Sequence, residues 1–312
     1  MTQLHNRNLL SIDDLTSDEI GQMLDAAELV KRRPEVVARF AEGKTLAMIF
    51  EKPSLRTRVT FEVAMTQMGG HAIYLAPSDI GLGTREPVKD VARNLSRWVQ
   101  AIMARTFAHQ SVVELGQYAD VPVINALSDL EHPCQALADF QALREHTGTL
   151  AGRKLAYIGD GNNVAHSLML LAAKVGTHFS LACPEGYDPQ PAIVARAREI
   201  AAGTGARIEV GRDPAVLVAD ADAVYTDVWT SMGQEAERLE RLRVFPPYQV
   251  NAALLRHARP DAVVMHCLPA HRGEEISEDV LEGPQSIVLD EAENRLHAQK
   301  AVLALALGWS PA

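Results

Sequence analysis

The stretch KLAYIGDGNNVAHSLMLLAAKVGTHFSLACP, residues 154–184, decides the fold. A short apolar run at 154–160 leads into a glycine-rich turn that opens a helical segment, and a second apolar run follows at 178–184. Short apolar runs that alternate with longer helical segments are typical of parallel strands joined by crossover helices. This stretch therefore predicts one β-α-β unit of a parallel sheet.

The same alternation continues along the chain and predicts two α/β domains, each a doubly wound parallel sheet. A length of 312 residues agrees with two domains. We place the boundary in the glycine-punctuated turn near residue 148, which gives domains 1–148 and 149–312. The final segment, EAENRLHAQKAVLALAL, is predicted to be a helix that crosses back to the first domain. The predicted strands are 45–50, 71–75, 101–105 and 121–125 in the first domain, and 154–160, 178–184, 206–210, 222–227, 262–269 and 286–290 in the second.

The charge balance and the cysteines exclude several classes of protein. The chain carries 40 acidic and 30 basic residues, and a net charge of -10 argues against a nucleic-acid or acidic-membrane partner. The sequence shows no apolar run of membrane-spanning length and no signal peptide at its start, so we expect a cytoplasmic protein. Cys134, Cys183 and Cys267 form no C-x-x-C pair, which suggests neither a disulfide framework nor a zinc knuckle.

The segment FEKPSLRTRVTFE, residues 50–62, predicts an anion site. It runs from an apolar strand through Ser54, a good N-cap, into a helix. Free backbone N–H groups and the positive end of the helix dipole converge there with Ser54, Thr57 and Arg56, a combination that suits a phosphate. A capped helix with surface arginines is the alternative. Arg58 cannot share a face with Arg56, and we expect it to be an ion-pair partner.

Polar residues also follow other predicted strands, where ligands of open α/β sheets bind. Arg105 ends the strand in MARTF, and His132 and Gln135 lie in SDLEHPCQALADF, where Pro133 suits the first helical position. The segments YTDVWTSMGQEAE (225–237) and MHCLPAHRGEE (265–275) occupy comparable places in the second half.

The motifs S-x-R-T-R, HPCQ, DVWTSMG and HCLP, in this order, resemble those of the ornithine carbamoyltransferases. The resemblance covers nearly the whole chain, through DEAENRLHAQKAVL. It implies transfer of the carbamoyl group of carbamoyl phosphate to the side-chain amine of L-ornithine, which gives L-citrulline and phosphate. It further implies that no metal or organic cofactor is needed, and that the protein is a homotrimer or a multiple of trimers. The direction of flux, biosynthetic or catabolic, stays open.

The resemblance also assigns site residues. The negative charge that develops on the carbonyl oxygen needs donors, for which Arg105, His132 and Thr57 are suited, and Cys267 near Asp227 is the candidate acceptor for the proton of the amine. Cys267 could instead be a small buried residue of the core. The residues implied for carbamoyl phosphate are Ser54, Leu55, Arg56, Thr57, Arg105, His132, Gln135, Cys267, Leu268 and Arg295. Those implied for ornithine are Asn163, Asp227, Ser231 and Met232.

Two positions depart from the family pattern. Leu55 stands where the family usually has threonine, and SLRTR also resembles the acetylornithine carbamoyltransferases. Gly81 stands where the family commonly offers a glutamine to a neighbouring subunit. In contrast, SMGQ resembles the enzymes that take free ornithine.

Other readings of the sequence stay open. An NAD-dependent dehydrogenase is suggested by YIGDGNNVAHSLM with Glu185 after the next strand, although Val164 replaces the third glycine and Asp160 would repel a pyrophosphate. A non-catalytic paralogue that binds an amino acid is a third possibility, motivated by Leu55 and Gly81. We expect His266 to be a core histidine, and residues 271–275 to form a solvated loop with ion pairs.

Overall fold

The computed structural model describes residues 4–231 and 233–311. The chain divides into two compact units, one formed by Met1–Gln141 with Glu293–Ala312 and the other by Ala142–Ala292. The C-terminal segment is therefore grouped with the first unit, as the sequence predicted. Each unit is built on one parallel sheet, which confirms the predicted fold class.

The first unit contains a four-stranded parallel sheet. Its carboxyl edge is set by the register of two central strands, in which Phe50 pairs with Arg105. A buried apolar cluster that includes Ala47, Ile102 and Val112 lies beneath its helices. The strands are β1 (Thr45–Phe50), β2 (His71–Leu75), β3 (Ala101–Arg105) and β4 (Val123–Leu127), in the spatial order β2-β1-β3-β4. The helices are α1 (Ser17–Arg32), α2 (Leu55–Gln67), α3 (Pro77–Ile80), α4 (Val88–Leu95), α5 (His109–Tyr118) and α6 (Pro133–Thr147), with short 3-10 turns at Ile12–Asp14 and Pro34–Val37.

The second unit contains a five-stranded parallel sheet. The strands are β5 (Lys154–Ile158), β6 (His178–Ala182), β7 (Ile208–Gly211), β8 (Ala223–Thr226) and β9 (Val263–His266), in the order β7-β6-β5-β8-β9. The helices are α7 (Asn163–Val175), α8 (Pro191–Thr204), α9 (Pro214–Val218), α10 (Arg238–Val244), α11 (Ala252–Leu255) and α12 (Glu278–Leu281), with 3-10 turns at Glu235–Glu237 and Pro246–Tyr248. The last helix is α13 (Val288–Ala306). The strand order reverses between β5 and β8, and ligands of such sheets bind at this switch point.

One predicted strand is wrong. Residues 286–290 form no strand, because only Ser286 bridges to Val264 and helix α13 begins two residues later, at Val288. Asp290 and Glu291 then lie in the first helical turn, where the dipole favours negative charge. The predicted strand 262–269 is also shorter than expected, because Leu268 has a φ of 57°, a left-handed conformation that a strand does not tolerate.

Within the described residues, the model contains no helix with both the length and the apolar character needed to cross a lipid bilayer.

Candidate active site

The first turn of α2 is capped as the sequence predicted. The Ser54 hydroxyl accepts a hydrogen bond from the Thr57 amide at 3.3 Å, and the helix begins directly after Ser54. Arg58 pairs with Glu62 at 3.0 Å and lies over the Tyr74 ring, which confirms its expected structural role. The cap at Ser54 and the ion pair of Arg58 are therefore both present at this turn.

Arg295 connects three helices of the first unit. Its buried guanidinium donates to the Gln135 side-chain oxygen at 2.5 Å and to the Thr57 hydroxyl at 3.2 Å. The Gln135 amide nitrogen donates in turn to Asp139 at 2.6 Å. Residues that are far apart in the sequence, at 57, 135 and 295, are thus in direct contact, and Arg295 belongs to the first unit, not to the second as the resemblance implied.

His132 lies among positive charges and is held neutral. Burial is the main cause that lowers the pKa of His132 well below its usual value near 6.5, and Arg295, Arg105 and Arg56 lower it further. The same interactions show that the three guanidinium groups are close enough to act on one buried imidazole. Arg105 is itself buried at the end of β3. A concentration of positive charge in a buried place favours an anion with several negative charges.

A second constellation lies at the carboxyl ends of β8 and β9. These strands are neighbours, with Thr226 opposite His266, so the residues that follow them meet. The Cys267 thiol donates to the carboxylate of Asp227 at 3.0 Å, and the Val228 amide donates to the same oxygen at 2.8 Å. The predicted pairing of Cys267 with Asp227 is therefore present in the geometry.

Asn162 is a residue whose part in this constellation the sequence did not reveal. Its side-chain oxygen caps α7 by accepting from the Val164 and Ala165 amides, and its amide nitrogen donates to the second carboxylate oxygen of Asp227 at 2.8 Å. Asn163 is the first residue of α7 and is half-buried. The two consecutive asparagines were the signal that the sequence offered. Only the structure, in which β8 lies beside β5, shows that Asn162 is the one that contacts Asp227.

The turn after β9 rests on a buried histidine. The His266 Nδ1 atom accepts from the Leu268 amide at 2.8 Å, so its proton is on Nε2, which lies 3.1 Å from the carboxylate of Glu275. His266 is a hydrogen-bonded core residue, as predicted. The prediction of a solvated loop is wrong for Glu275, which is wholly buried, but holds for Arg272, which pairs with Glu278 and Glu282.

The segment after β8 carries Ser231, which is half-buried and whose amide donates to the Gln234 side chain. Met232, the other residue expected here, lies outside the described residues. Arg241 on α10 donates to the Trp229 carbonyl and to Asp160, both at 2.7 Å. The Arg241 guanidinium thus links α10, which follows this segment, to Trp229 at the start of the segment and to Asp160 in the turn after β5.

The two departures from the family pattern differ in kind. The Leu55 side chain is 75% exposed, so a change there leaves the backbone of the capped turn in place. Gly81 has a φ of 53°, and a Cβ atom there would lie 2.7 Å from the Cβ atom of Arg85. A glutamine does not fit this position in this loop conformation.

The turn after β5 argues against dinucleotide binding. The Gly161 amide, which would face a pyrophosphate, donates instead to the Tyr187 carbonyl at 2.9 Å. A Cβ atom at Gly161 would lie 2.1 Å from the Pro189 nitrogen, so this glycine permits close packing of protein on protein. Asp160 is occupied by its ion pair with Arg241.

Two groups of side chains in the described part of the chain have metal-like spacing, with donor atoms within 4.8 Å: Asp227 with His266 and Cys267, and His271 with Glu274 and Glu275. In the first group both His266 nitrogens already have protein partners. A metal bound through His266 would have to break the contact with either Leu268 or Glu275.

Comparisons with known proteins agree along the whole chain. Residues 7–145 match the family model for the carbamoyl-P binding domain of aspartate/ornithine carbamoyltransferase, and residues 151–306 match the model for its Asp/Orn binding domain. The chain is 54% identical over 310 residues to the ornithine carbamoyltransferase of Pyrococcus abyssi, covering 99% of this chain and 98% of the relative. It is 55% identical over 301 residues to that of Gloeobacter violaceus, covering 96% of each.

Solved structures give the same result. The structure of ornithine carbamoyltransferase from Pyrococcus furiosus has a TM-score of 0.96 at 53% identity and covers 100% of both chains. The enzyme from Thermus thermophilus has a TM-score of 0.87 at 47% identity, covering 96% of this chain and 98% of the other. With both halves matched by the family models and more than half of its residues identical to those of such relatives, the chain belongs to the aspartate/ornithine carbamoyltransferase family.

Proposed function

We propose that this protein is an ornithine carbamoyltransferase, which converts carbamoyl phosphate and L-ornithine to L-citrulline and phosphate. The observation that carries the proposal is the buried Arg295 guanidinium, bound to Thr57 and Gln135 and close to Arg105 and His132. The Asp227 and Cys267 pair of the second unit supports it. Relatives that bear this name at 54% identity over almost the full length support it independently.

The first unit binds carbamoyl phosphate. The phosphate lies at the N-terminus of α2, where the backbone N–H groups that follow Ser54, including that of Leu55, converge with Arg56 and Thr57. Arg105 and Arg295 add charge-assisted hydrogen bonds, and Gln135 holds Arg295 in place. The domain boundary near residue 148 and this division of the substrates stay predictions.

The neutral state of His132 fits a donor to the carbonyl oxygen. A neutral imidazole carries one N–H group, and it can donate a hydrogen bond without adding a charge that would repel the neighbouring guanidinium groups. As the amine attacks, negative charge grows on the carbonyl oxygen, where Arg105, Thr57 and His132 stabilise it. These donors are in place before the reaction, so the charge is met without reorganisation.

The second unit binds ornithine through Asn163, Asp227, Ser231 and Met232. Asp227 is already oriented by Asn162 and by the Val228 amide, so its carboxylate presents a fixed charge to an ammonium group.

Only the unprotonated amine is a nucleophile, so ornithine must first lose a proton. Cys267, 3.0 Å from Asp227, is the proposed acceptor in its thiolate form, after its own proton has passed to solvent. The Cys267 and Leu268 carbonyls bind the carbamoyl amide, and the hydrogen bond from the Leu268 amide to His266 fixes their direction.

The finer properties of the protein are proposed from the resemblance. We expect a homotrimer or a multiple of trimers, no metal or organic cofactor, and a cytoplasmic location in which Cys267 stays reduced. The net charge of -10 supports small-molecule substrates over nucleic acid or membrane partners. The relative from Pyrococcus furiosus is named an anabolic ornithine carbamoyltransferase, and this favours the biosynthetic direction.

A citrulline assay tests the proposal. Dialysed protein, given carbamoyl phosphate and L-ornithine without NAD or metal, should form citrulline and phosphate in equal amounts. Nα-acetylornithine should not replace ornithine. A product only with the acetylated substrate would assign the protein to the acetylornithine type, and binding of both ligands without product would make it a non-catalytic paralogue.

Arg56 should contribute strongly to phosphate binding. Arg56→Ala is expected to weaken the affinity for carbamoyl phosphate by at least tenfold, since a hydrogen bond to a charged group contributes about 1.5–3 kcal/mol. Arg58→Ala, two residues along the same helix, removes a surface ion pair and should leave the affinity nearly unchanged. Calorimetric titration that finds equal affinity for the two variants would remove Arg56 from the site.

Asp227 should act on ornithine alone. Asp227→Asn is expected to raise the KM for ornithine by at least tenfold, because the charge that attracts the ammonium is lost. Binding of carbamoyl phosphate, measured by titration, should stay the same. Asp261→Asn, which changes an exposed carboxylate of the same unit, is the control. Equal losses for both substrates would indicate a folding defect instead of a role in ornithine binding.

His132 should make the folded state sensitive to acid. The pKa of His132 in the folded protein lies below its value in the unfolded chain, which is near 6.5. Below pH 6.5 the unfolded chain therefore binds more protons than the folded protein. The free energy of unfolding thus decreases as the pH falls from 6.5 toward the folded pKa. Wild type should therefore lose up to about 1.4 kcal/mol per pH unit more than His132→Gln between pH 7 and 5. Denaturant unfolding at several pH values measures this difference. Parallel curves for the two proteins would show that His132 is not held neutral.

A further inference from the structure

Gln299 holds the other side of the Arg295 guanidinium. It is wholly buried on α13, one helical turn after Arg295, so both side chains lie on the same face of the helix. With its amide oxygen toward Arg295, that oxygen lies 2.8 Å from Nη2 and 3.2 Å from Nε. The amide nitrogen then lies 2.5 Å from the Thr60 hydroxyl of α2.

The hydrogen-bond chemistry selects this orientation of the amide. A guanidinium has donors only, so the group of Gln299 that faces Arg295 must be its oxygen. The Thr60 hydroxyl has one proton, which it donates to the Arg56 carbonyl at 2.5 Å, one turn earlier in α2. It must therefore accept from Gln299, and the amide nitrogen is the donor that it meets.

A continuous chain of hydrogen bonds follows: Arg295 donates to Gln299, Gln299 donates to Thr60, and Thr60 donates to the Arg56 carbonyl. The chain ties the guanidinium of one proposed phosphate ligand to the backbone of another. We infer that Gln299 and Thr60 are positioning residues that fix Arg295 and the first turn of α2 relative to each other for the phosphate group of carbamoyl phosphate. This inference rests on the proposed function.

The physical reason for holding the guanidinium in this way is that the arginine side chain is long and flexible. An unrestrained guanidinium explores many rotamers, and this freedom is lost when it binds an anion. Gln135 and Thr57 hold two of the guanidinium nitrogens, and Gln299 adds contacts to Nε and Nη2 that fix the plane of the group. A plane fixed in advance lowers the entropic cost of binding the phosphate.

The test measures phosphate binding directly. Gln299→Met keeps the length of the side chain but removes its hydrogen bonds to Arg295 and to Thr60. It should weaken the affinity for inorganic phosphate and raise the KM for carbamoyl phosphate, each about tenfold. The KM for ornithine should not change. Thr60→Val, at a half-buried position, should produce a smaller loss for the same ligand, and Thr60→Ser should behave as wild type.

Lys300→Met is the matched control. Lys300 donates to Gln67, so it also joins α13 to α2, but it is the next residue along the helix and forms no part of the chain from Arg295 to Arg56. It should leave phosphate affinity unchanged. The double variant of Gln299→Met with Thr60→Val should lose less than the product of the single losses, because both act through one chain of contacts.

Three results would overturn the inference: unchanged phosphate affinity in Gln299→Met and Thr60→Val, an equal loss in Lys300→Met, or an equal rise in the KM for ornithine. The second and third would mean that the substitutions loosen the helices in general. Wild-type protein that binds phosphate but makes no citrulline would overturn the proposed function alone, because the titrations still decide the roles of Gln299 and Thr60.

Discussion

The arrangement of the first unit depends on keeping a positive charge buried and available at the same time. Burying a charge is costly unless hydrogen bonds replace its water, and Arg295 donates such bonds to Thr57, Gln135 and Gln299. These three acceptors are neutral, so none of them cancels the charge of the guanidinium. Asp139 acts on Arg295 through Gln135. It accepts a hydrogen bond from the Gln135 amide nitrogen and thereby keeps the Gln135 oxygen directed toward Arg295.

His132 belongs to the same electrostatic arrangement. Its pKa is lowered first by burial and then by the same guanidinium groups, and it stays an uncharged donor beside them. A protonated histidine would add repulsion where three arginines already act, so burial among these guanidinium groups favours the neutral form. The second unit shows the complementary case, in which the carboxylate of Asp227 is held by the Asn162 amide and by a backbone N–H group. In both units the charged group is oriented by neutral partners.

Much of this could be predicted from the sequence, and the failures have physical causes. The strands at 45–50, 71–75 and 101–105 were predicted at their observed bounds, because apolar runs bounded by turns are local signals. The segment 286–290 has the same apolar character, but a single bridge to Val264 is all the pairing that it finds. The edge of β9 is available to it, but helix α13 begins at Val288 and takes the segment away from the sheet, an outcome that the apolar run alone does not encode.

Side-chain environments were harder to predict than strands. Glu275 lies in a charged, glycine-containing loop, which is typical of a solvated segment, yet its carboxylate is buried against His266 and the His271 amide. The contact of Asn162 with Asp227 could not be predicted, because Asp227 is 65 residues away and follows another strand. Gln299 lies one turn from Arg295, but its other partner, Thr60, is 239 residues away, and the sequence does not show which way an amide turns.

The position of Leu55 shows why the departures from the family pattern matter less than they first suggest. A helix N-terminus attracts an anion mainly through its backbone N–H groups and its dipole, and both depend on the cap at Ser54 and not on the side chain at the next position. Leu55 directs an apolar side chain outward, at 75% exposure, while its backbone keeps the place of the usual threonine. The chain of contacts from Arg295 through Gln299 and Thr60 reaches this turn at the Arg56 carbonyl, so the turn is fixed from both its cap and its far side. What holds the proposed phosphate ligands in register is thus main-chain geometry and buried amides, neither of which depends on the side chain at position 55.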